Sequence, residues 1–423
     1  MSTPKRRVAI ACQGGGSHTA FTAGALSRFL QPDVLADHEI VALSGTSGGA
    51  ICAALAWSAL LRDRPEDASG LLAQFWTANT ATTWPERIIN NMVLWGSRLA
   101  ETVALPAVSP YLHAGAVRSS QQLARMVDET VDLEAAQALA TELGADAPQL
   151  LLGAVDVVNG SFRAFNSRRG EISTAAILAS AAIPNIFRSV RIGNGIYWDG
   201  LFSQNPPVGV LREADPDEIW VIQINPTRID REPRLLTDIT TRRNELAGNL
   251  SLYQELGFIE RLDRWLADGT ITSDKLRHVT VRILEMNRLE SSKEWGYASK
   301  LNRDPDFIGE LIQLGRDQAD EQLKAMGFEH AWSRGELDRM LDQFAPNALV
   351  SSDHPEARLA PTRDKEAIRA YIDGLGLCVD ASRARVSRES VSWDVRAAGN
   401  SALRGKLFAT FEDGAVTRMA FTD

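Results

Sequence analysis

Residues 45–49 read Gly-Thr-Ser-Gly-Gly, a match to G-x-S-x-G, set between the apolar runs 40–43 and 50–57. Such a serine is either part of a tight turn or a nucleophile on a sharp strand-to-helix corner. In the second case the flanking glycines, here Gly45, Gly48 and Gly49, let strand and helix approach closely, and the N–H after the serine faces a reaction oxyanion. A second stretch, QGGGSHTAFTAGAL at 13–26, places three glycines between an apolar run and a helical one. Backbone N–H groups there can turn outward and bind an anion, either a phosphate or an oxyanion. The spacing lacks the last glycine of G-x-G-x-x-G, where Thr19 stands, and has no G-K-[ST], so nucleotide binding fits poorly.

A third stretch, YWDGLFSQNPP at 197–207, holds Asp199 followed by Gly200. Asp-Gly is ordinarily a turn. A serine nucleophile, however, needs a base within hydrogen-bond reach. His278 follows Ser47 and Asp199 in the order of a Ser–Asp–His triad, but KLRHVTVRIL around it reads as a strand interior rather than a loop.

The elements that must carry these residues alternate. Residues 6–12 and 39–43 read as buried strands, and 19–30 and 49–61 as helices, the second apolar nearly all round. That alternation predicts an α/β fold with a mainly parallel sheet. Residues 150–158 and 218–224 read as further strands, and 173–182 as an alanine-rich helix. The segment 80–119, with Trp84, Met92, Trp95 and Leu99, reads as an inserted helical piece: either a lid that touches lipid or ordinary packing on the sheet. Residues 231–328 read as charged and mostly helical.

Taken in order, GGG, G-x-S-x-G, ASAAIPNIF at 179–187 and then DG with N-P-P resemble the patatin-like phospholipases over residues 6–285. The resemblance implies a three-layer α/β/α fold and a Ser–Asp dyad without histidine. Ser47 would be the nucleophile and Asp199 its base. The N–H groups of Gly14, Gly15 and Gly16, joined by Gly48, would form the oxyanion hole, with Gly45, Gly49 and Gly200 supporting the motifs. It implies hydrolysis of carboxylic esters of lipids, phospholipid or lysophospholipid first. His18 and Thr19 depart from the family's G-G-G-x-R-G, and a threonine there narrows the turn if the site needs φ > 0. Residues 330–423 resemble, more weakly, the SnoaL-like or NTF2-like cone domains, through GELDRMLDQFAPNALV, PTRDKEAIRAYIDGL and FATFEDGAVTRMAFTD. They read as an α+β module with a dimerising or regulatory role, after a helical connector at 286–329.

Composition narrows the remaining classes. The chain has 423 residues, 44% of them apolar and 23% charged, enough for two or three domains with ample cores. A net charge of −9 disfavours nucleic acid as a partner and leaves room for a peripheral membrane contact through a local patch. Three cysteines, Cys12, Cys52 and Cys378, provide no disulfide framework. No run has the length of a signal peptide's apolar region or of a membrane span, which predicts a cytoplasmic location. No His/Cys spacing calls for zinc, and no cofactor is expected. The competing readings are an α/β-hydrolase with a triad through His278 and a lipid- or nucleotide-binding regulator without turnover.

Overall fold

A computed structural model describes residues 4–102, 109–112, 114–184, 186–229, 232–274, 276–286, 298–333, 336–354, 358–375, 377–386, 390–397, 400–412 and 415–422. These form two compact units: Met1–His278 with Arg288–Arg316, and Val279–Asn287 with Asp317–Asp423. The contacts thus group Val279–Asn287 with the C-terminal unit, whereas the sequence placed residues up to 285 in the first domain.

The first unit begins with β1 (Arg6–Cys12), α1 (Ala20–Phe29), α2 (Pro32–Leu35), β2 (His38–Thr46) and α3 (Gly48–Leu61). Helices α4 (Asp67–Ala78), α5 (Trp84–Thr102), α6 (Ala114–Thr130) and α7 (Leu133–Leu143) follow. Then come β3 (Gln149–Asp156), β4 (Phe162–Asn166), α8 (Thr174–Ser180), β5 (Val190–Ile192), β6 (Gly195–Asp199), β7 (Glu218–Gln223) and α9 (Leu236–Ala267). Strands β7, β1, β2 and β3 lie side by side in that order and run parallel. β1 sits in their interior and is buried from Val8 to Cys12, as an unbroken apolar run in a two-faced parallel sheet must be. Beyond β3 the sheet turns antiparallel: β6 and β4 both pair with β3, and β5 pairs with β6. Helices complete a three-layer α/β/α arrangement. Helix α3 is buried at every position but Leu60 and lies on β2 and β3, which explains its apolar character on all sides. Local chemistry sets the ends of other helices. The carboxylate of Asp132 caps α7 by accepting from Ala135 N at 2.9 Å, and the Ser173 hydroxyl caps α8 from Ala176 N at 3.2 Å.

The second unit contains β8 (Thr280–Glu285), residues 317–333 of α10 (Pro305–Ser333), α11 (Leu337–Leu341), β9 (Phe344–Ser352), β10 (Leu359–Thr362), α12 (Lys365–Leu375), β11 (Leu377–Val386), β12 (Ser390–Ala397), β13 (Asn400–Glu412) and β14 (Ala415–Thr422). Its strands follow the order β10, β9, β14, β13, β12, β11, β8. Phe328, Phe344, Ile368, Ile372, Phe411 and Phe421 meet in one core. Arg282 of β8 and Glu329 of α10 form an ion pair that is buried on both sides. Breaking such a pair from one side leaves an uncompensated charge. Arg282→Met is therefore expected to destabilise this unit by about 3–5 kcal/mol, and Arg282→Met with Glu329→Leu to recover most of that loss. Denaturant midpoints of the three proteins check both statements.

Candidate active site

Strand register brings the candidate residues together. Thr46 of β2 pairs with Gly153 of β3, and the next residue of β3, Ala154, pairs with Asp199 of β6. Ser47, which follows Thr46, and Asp199 therefore stand at one level on either side of β3. Gly153 makes this closure feasible. A Cβ there would lie 2.5 Å from Thr46 Oγ1 and 2.8 Å from the Gln204 carbonyl, and these two groups hydrogen-bond to each other at 2.7 Å.

Ser47 occupies the corner between β2 and α3 with φ 57° and ψ −128°, a left-handed backbone that a non-glycine residue adopts only under constraint. The constraint is Ser180. The Ser47 N–H lies 3.2 Å from the Ser180 carbonyl and 3.1 Å from its hydroxyl, and that hydroxyl donates to the Gly153 carbonyl at 2.6 Å. Two residues on, the Ala182 carbonyl accepts from Asp199 N at 3.0 Å. The stretch 180–182 thus fixes the backbones of both Ser47 and Asp199. Gly45 and Gly49 let the corner close: a Cβ on Gly45 would stand 2.4 Å from the Gly49 carbonyl, and one on Gly49 2.3 Å from the Cys12 carbonyl.

Asp199 is 0% exposed. Its Oδ1 accepts from Leu201 N at 2.8 Å, across Gly200, while Oδ2 is buried without a hydrogen-bond partner among the described residues. Burial pushes its pKa up to about 7, against the smaller downward pulls of the Leu201 N–H and the facing Ser47 hydroxyl. An acid that faces a serine hydroxyl and titrates near neutrality has the properties of a general base. Among the described residues no histidine is hydrogen-bonded to Ser47 or Asp199. His278 lies exposed in a loop just before β8, not inside a strand, while His18 bonds Ser299 Oγ at 2.8 Å and His38 the Val34 carbonyl at 2.8 Å. The buried Cys52 thiol is pushed up to about 12 by desolvation and stays protonated.

The glycine-rich loop follows β1 beside this corner. Gly16 has φ +58°, a conformation that calls for glycine. It opens a single turn of 3-10 helix, Gly16–Thr19, and Gly48 opens α3, so neither N–H has a partner within its helix. Among the described residues the N–H groups of Gly15, Gly16 and Gly48 donate to no other protein group, which leaves them available to an anion. Gly14 differs from the expectation: its N–H donates to Asn205 Oδ1 at 2.7 Å and is withdrawn from the donor set. Thr19 also departs from its expected effect. It has φ −72° and never needs positive φ, and its hydroxyl instead donates to the Gly16 carbonyl at 2.6 Å, bracing the turn.

Three residues to which the sequence assigned no role complete the frame, Asn205 among them as the first residue of N-P-P. Gln13, fully buried, accepts through Oε1 from Ile224 N and Asn225 N, each at 2.8 Å, and donates to Asn249 Oδ1 at 2.9 Å. Asn205 links the loop after Asp199 to Gly14 and to the Gly248 carbonyl of α9. Ser299 holds His18 from a segment far along the chain. Among the described residues no group of three or more His, Cys, Asp or Glu is placed to hold a metal ion, and no helix is long and apolar enough to cross a membrane.

The family model of the patatin-like phospholipases matches residues 10–212, the stretch holding the serine corner, the glycine loop and Asp199. Residues 10–212 form a patatin-like phospholipase domain. That assignment supports a lipid acyl hydrolase. A search among curated proteins returns no match. Solved structures resembling part of the chain include an NTF2-like protein of unknown function from Cytophaga hutchinsonii. It is 12% identical, with a TM-score of 0.21, and the likeness covers 24% of this chain and 87% of that one. Putative polyketide cyclases from Xanthomonas campestris pv. campestris and Sinorhizobium meliloti are 16% and 19% identical, with TM-scores of 0.21 and 0.20. They cover 25% and 23% of this chain and 92% of each of theirs. At these scores they assign neither an activity nor a ligand.

The state of Asp199 has a consequence for stability. Its carboxyl holds a proton more tightly in the native chain (about 7) than at its ordinary value of 3.8, so the native state binds more protons across that window. Stability from this group is therefore full below about pH 4 and declines as pH rises towards 7. Asp199→Asn is expected to match the parent near pH 4 and to be more stable by a few kcal/mol above pH 7, as read from denaturant unfolding at several pH values.

Proposed function

We propose that the chain hydrolyses carboxylic ester bonds of lipids, phospholipid or lysophospholipid first, with Ser47 as nucleophile and Asp199 as its base. The observation carrying this reading is the pairing of Ser47, on its constrained left-handed corner, with a buried Asp199 whose Oδ2 lacks a partner. In the forward half, Oδ2 takes the Ser47 proton while Oγ bonds to the ester carbonyl carbon. The negative oxygen of the tetrahedral intermediate lies against the N–H groups of Gly15, Gly16 and Gly48, assisted by the N-terminus of α3. Collapse breaks the ester C–O bond, and the leaving alcohol takes the proton from Asp199. Water then attacks the acyl-serine with Asp199 again accepting a proton, which releases the carboxylic acid and restores the serine.

A base that titrates near neutrality has a visible signature. For a soluble ester, kcat/KM is expected to rise with pH and level off above about 7. A fluorophosphonate probe is expected to label the parent and not Ser47→Ala, with Asp199→Asn labelling weakly. Both variants are expected to lose about 10³-fold or more in turnover. Labelling that persists in Ser47→Ala would remove Ser47 as the nucleophile. Cleavage of short soluble esters only, with phospholipid micelles left intact, would remove the lipid assignment. His278→Gln is expected to keep full activity, and a large loss would restore the triad reading.

A further inference from the structure

Helices α5 and α9 of the first unit lie against each other, and each turns an apolar face to solvent. On α5, Trp84 is 76% and Trp95 68% exposed, with Ile89, Met92 and Val93 exposed between them. On α9, Ile239, Leu246, Leu250 and Tyr253 recur at spacings of seven, four and three, the pattern of one helix face. Leu246 is 53% and Leu250 61% exposed. Single exposed apolar residues are ordinary, but two adjoining stripes are a surface that something covers.

The most exposed charges on this surface are of one sign. Between Trp84 and Trp95 the only exposed charged residue is Arg87, and between Ile239 and Phe258 it is Arg243. The acids of both stretches are occupied elsewhere. Glu86 accepts from Thr83 N at 3.0 Å, Glu245 is buried against Arg242, and Glu255 accepts from Val208 N at 2.8 Å and Gly209 N at 2.5 Å. In a chain of net charge −9, an apolar face whose most exposed charges are cations is where an anionic surface can approach. Two indoles on one amphipathic helix suit the boundary between headgroups and acyl chains. A second copy of the chain would set Arg87 and Arg243 against like charges, with Glu86 already held by Thr83.

We propose that α5 and α9 form the surface by which the chain docks on an anionic lipid bilayer; the choice of lipid as occupant rests on the ester-hydrolase reading above. The inward sides of the same helices connect to the catalytic loops. Gly248 and Ser251 of α9 bond the side chain and backbone of Asn205, and Asn249 bonds Gln13. Asn90 of α5 bonds Asn302 at 3.1 Å and accepts from Arg303 N at 2.9 Å, next to the segment that holds His18. Docking through the outer faces would thus bring the lipid to the elements that frame Ser47.

The test is co-sedimentation of the full chain carrying Ser47→Ala with vesicles of phosphatidylcholine, or of an equal mixture of phosphatidylcholine and phosphatidylglycerol. Tighter binding to the mixed vesicles is expected, weakened by salt. Leu246→Glu with Leu250→Glu, and separately Met92→Glu, are expected to bind roughly tenfold more weakly or worse, equivalent to about 1.4 kcal/mol. Arg87→Glu with Arg243→Glu is expected to abolish the preference for phosphatidylglycerol. The same substitutions in the Ser47 chain are expected to leave turnover of a short soluble ester unchanged, which shows that they fold. Absence of vesicle binding, or binding unaffected by the glutamates, overturns the proposal. So does a dimer in analytical ultracentrifugation that Leu246→Glu dissolves, since the face then belongs to a second copy. Vesicle binding by a chain that turns over no ester would remove the hydrolase reading and leave the docking surface standing.

Discussion

The candidate site depends on the close approach of two strands across a third that has no side chain at the crossing. Gly153 of β3 lies beside Thr46 of β2 and the Gln204 carbonyl beyond β6, and a Cβ there would crowd both ends of the hydrogen bond between those groups. With that gap closed, the register places Ser47 and Asp199 level with each other. The Gly153 carbonyl also receives the Ser180 hydroxyl that braces the Ser47 corner. One backbone position therefore sets both the spacing of the pair and the strain of the serine. A larger residue there would separate the strands and release the corner together, so no other part of the site could compensate.

Burial of Asp199 follows from the same closure and pulls stability and chemistry in opposite directions. A carboxyl without solvent and with an unpaired oxygen destabilises the ionised native state. The same desolvation raises its proton affinity until it matches that of a base working near neutral pH. Among the described residues Oδ2 makes no hydrogen bond, and the donor that faces the carboxyl is the Ser47 hydroxyl. A histidine in that space would satisfy the carboxylate and make Asp199 an orienting group rather than the base.

Short-range features of this arrangement were legible in the sequence, and long-range ones were not. The run at 6–12, the elbow at 45–49 and the all-apolar helix after it depend on residues within a few positions of one another, and β1 and α3 lie where the pattern puts them. Asp199 had only a turn signal of its own and gained a role through the order of motifs, because what brings it to Ser47 is strand register. Gly14 was counted as a donor because a row of glycines looks uniform. Asn205, some 190 residues away, takes its N–H and leaves the next two amides open. Thr19 raised a concern suited to a left-handed residue, but the left-handed position is Gly16. The face of α9 was hidden by composition. The helix lies in a stretch that reads only as charged and mostly helical, yet Glu245 and Glu255 point inward and Ile239, Leu246 and Leu250 point out.

The two faces of α9 tie the fold to the use made of it. A helix covering a catalytic loop ordinarily buries its apolar stripe and solvates its polar one. Helix α9 does bury Leu252, Leu256, Ile259 and Leu262, but its inward side also has specific polar atoms to hold: the Gln13 and Asn205 side chains and the backbone N–H groups of 208–209. Buried polar groups satisfied in this way fix geometry more sharply than apolar packing does, since each lost bond leaves an unpaired group in a dry place. A second set of apolar residues, Ile239, Leu246 and Leu250, is left on the outer face, where water is a poor neighbour. A lipid surface would relieve that exposure without disturbing the inner contacts, so the polarity that orders the catalytic loops and the apolarity that would meet a bilayer are two sides of one constraint on the same helix.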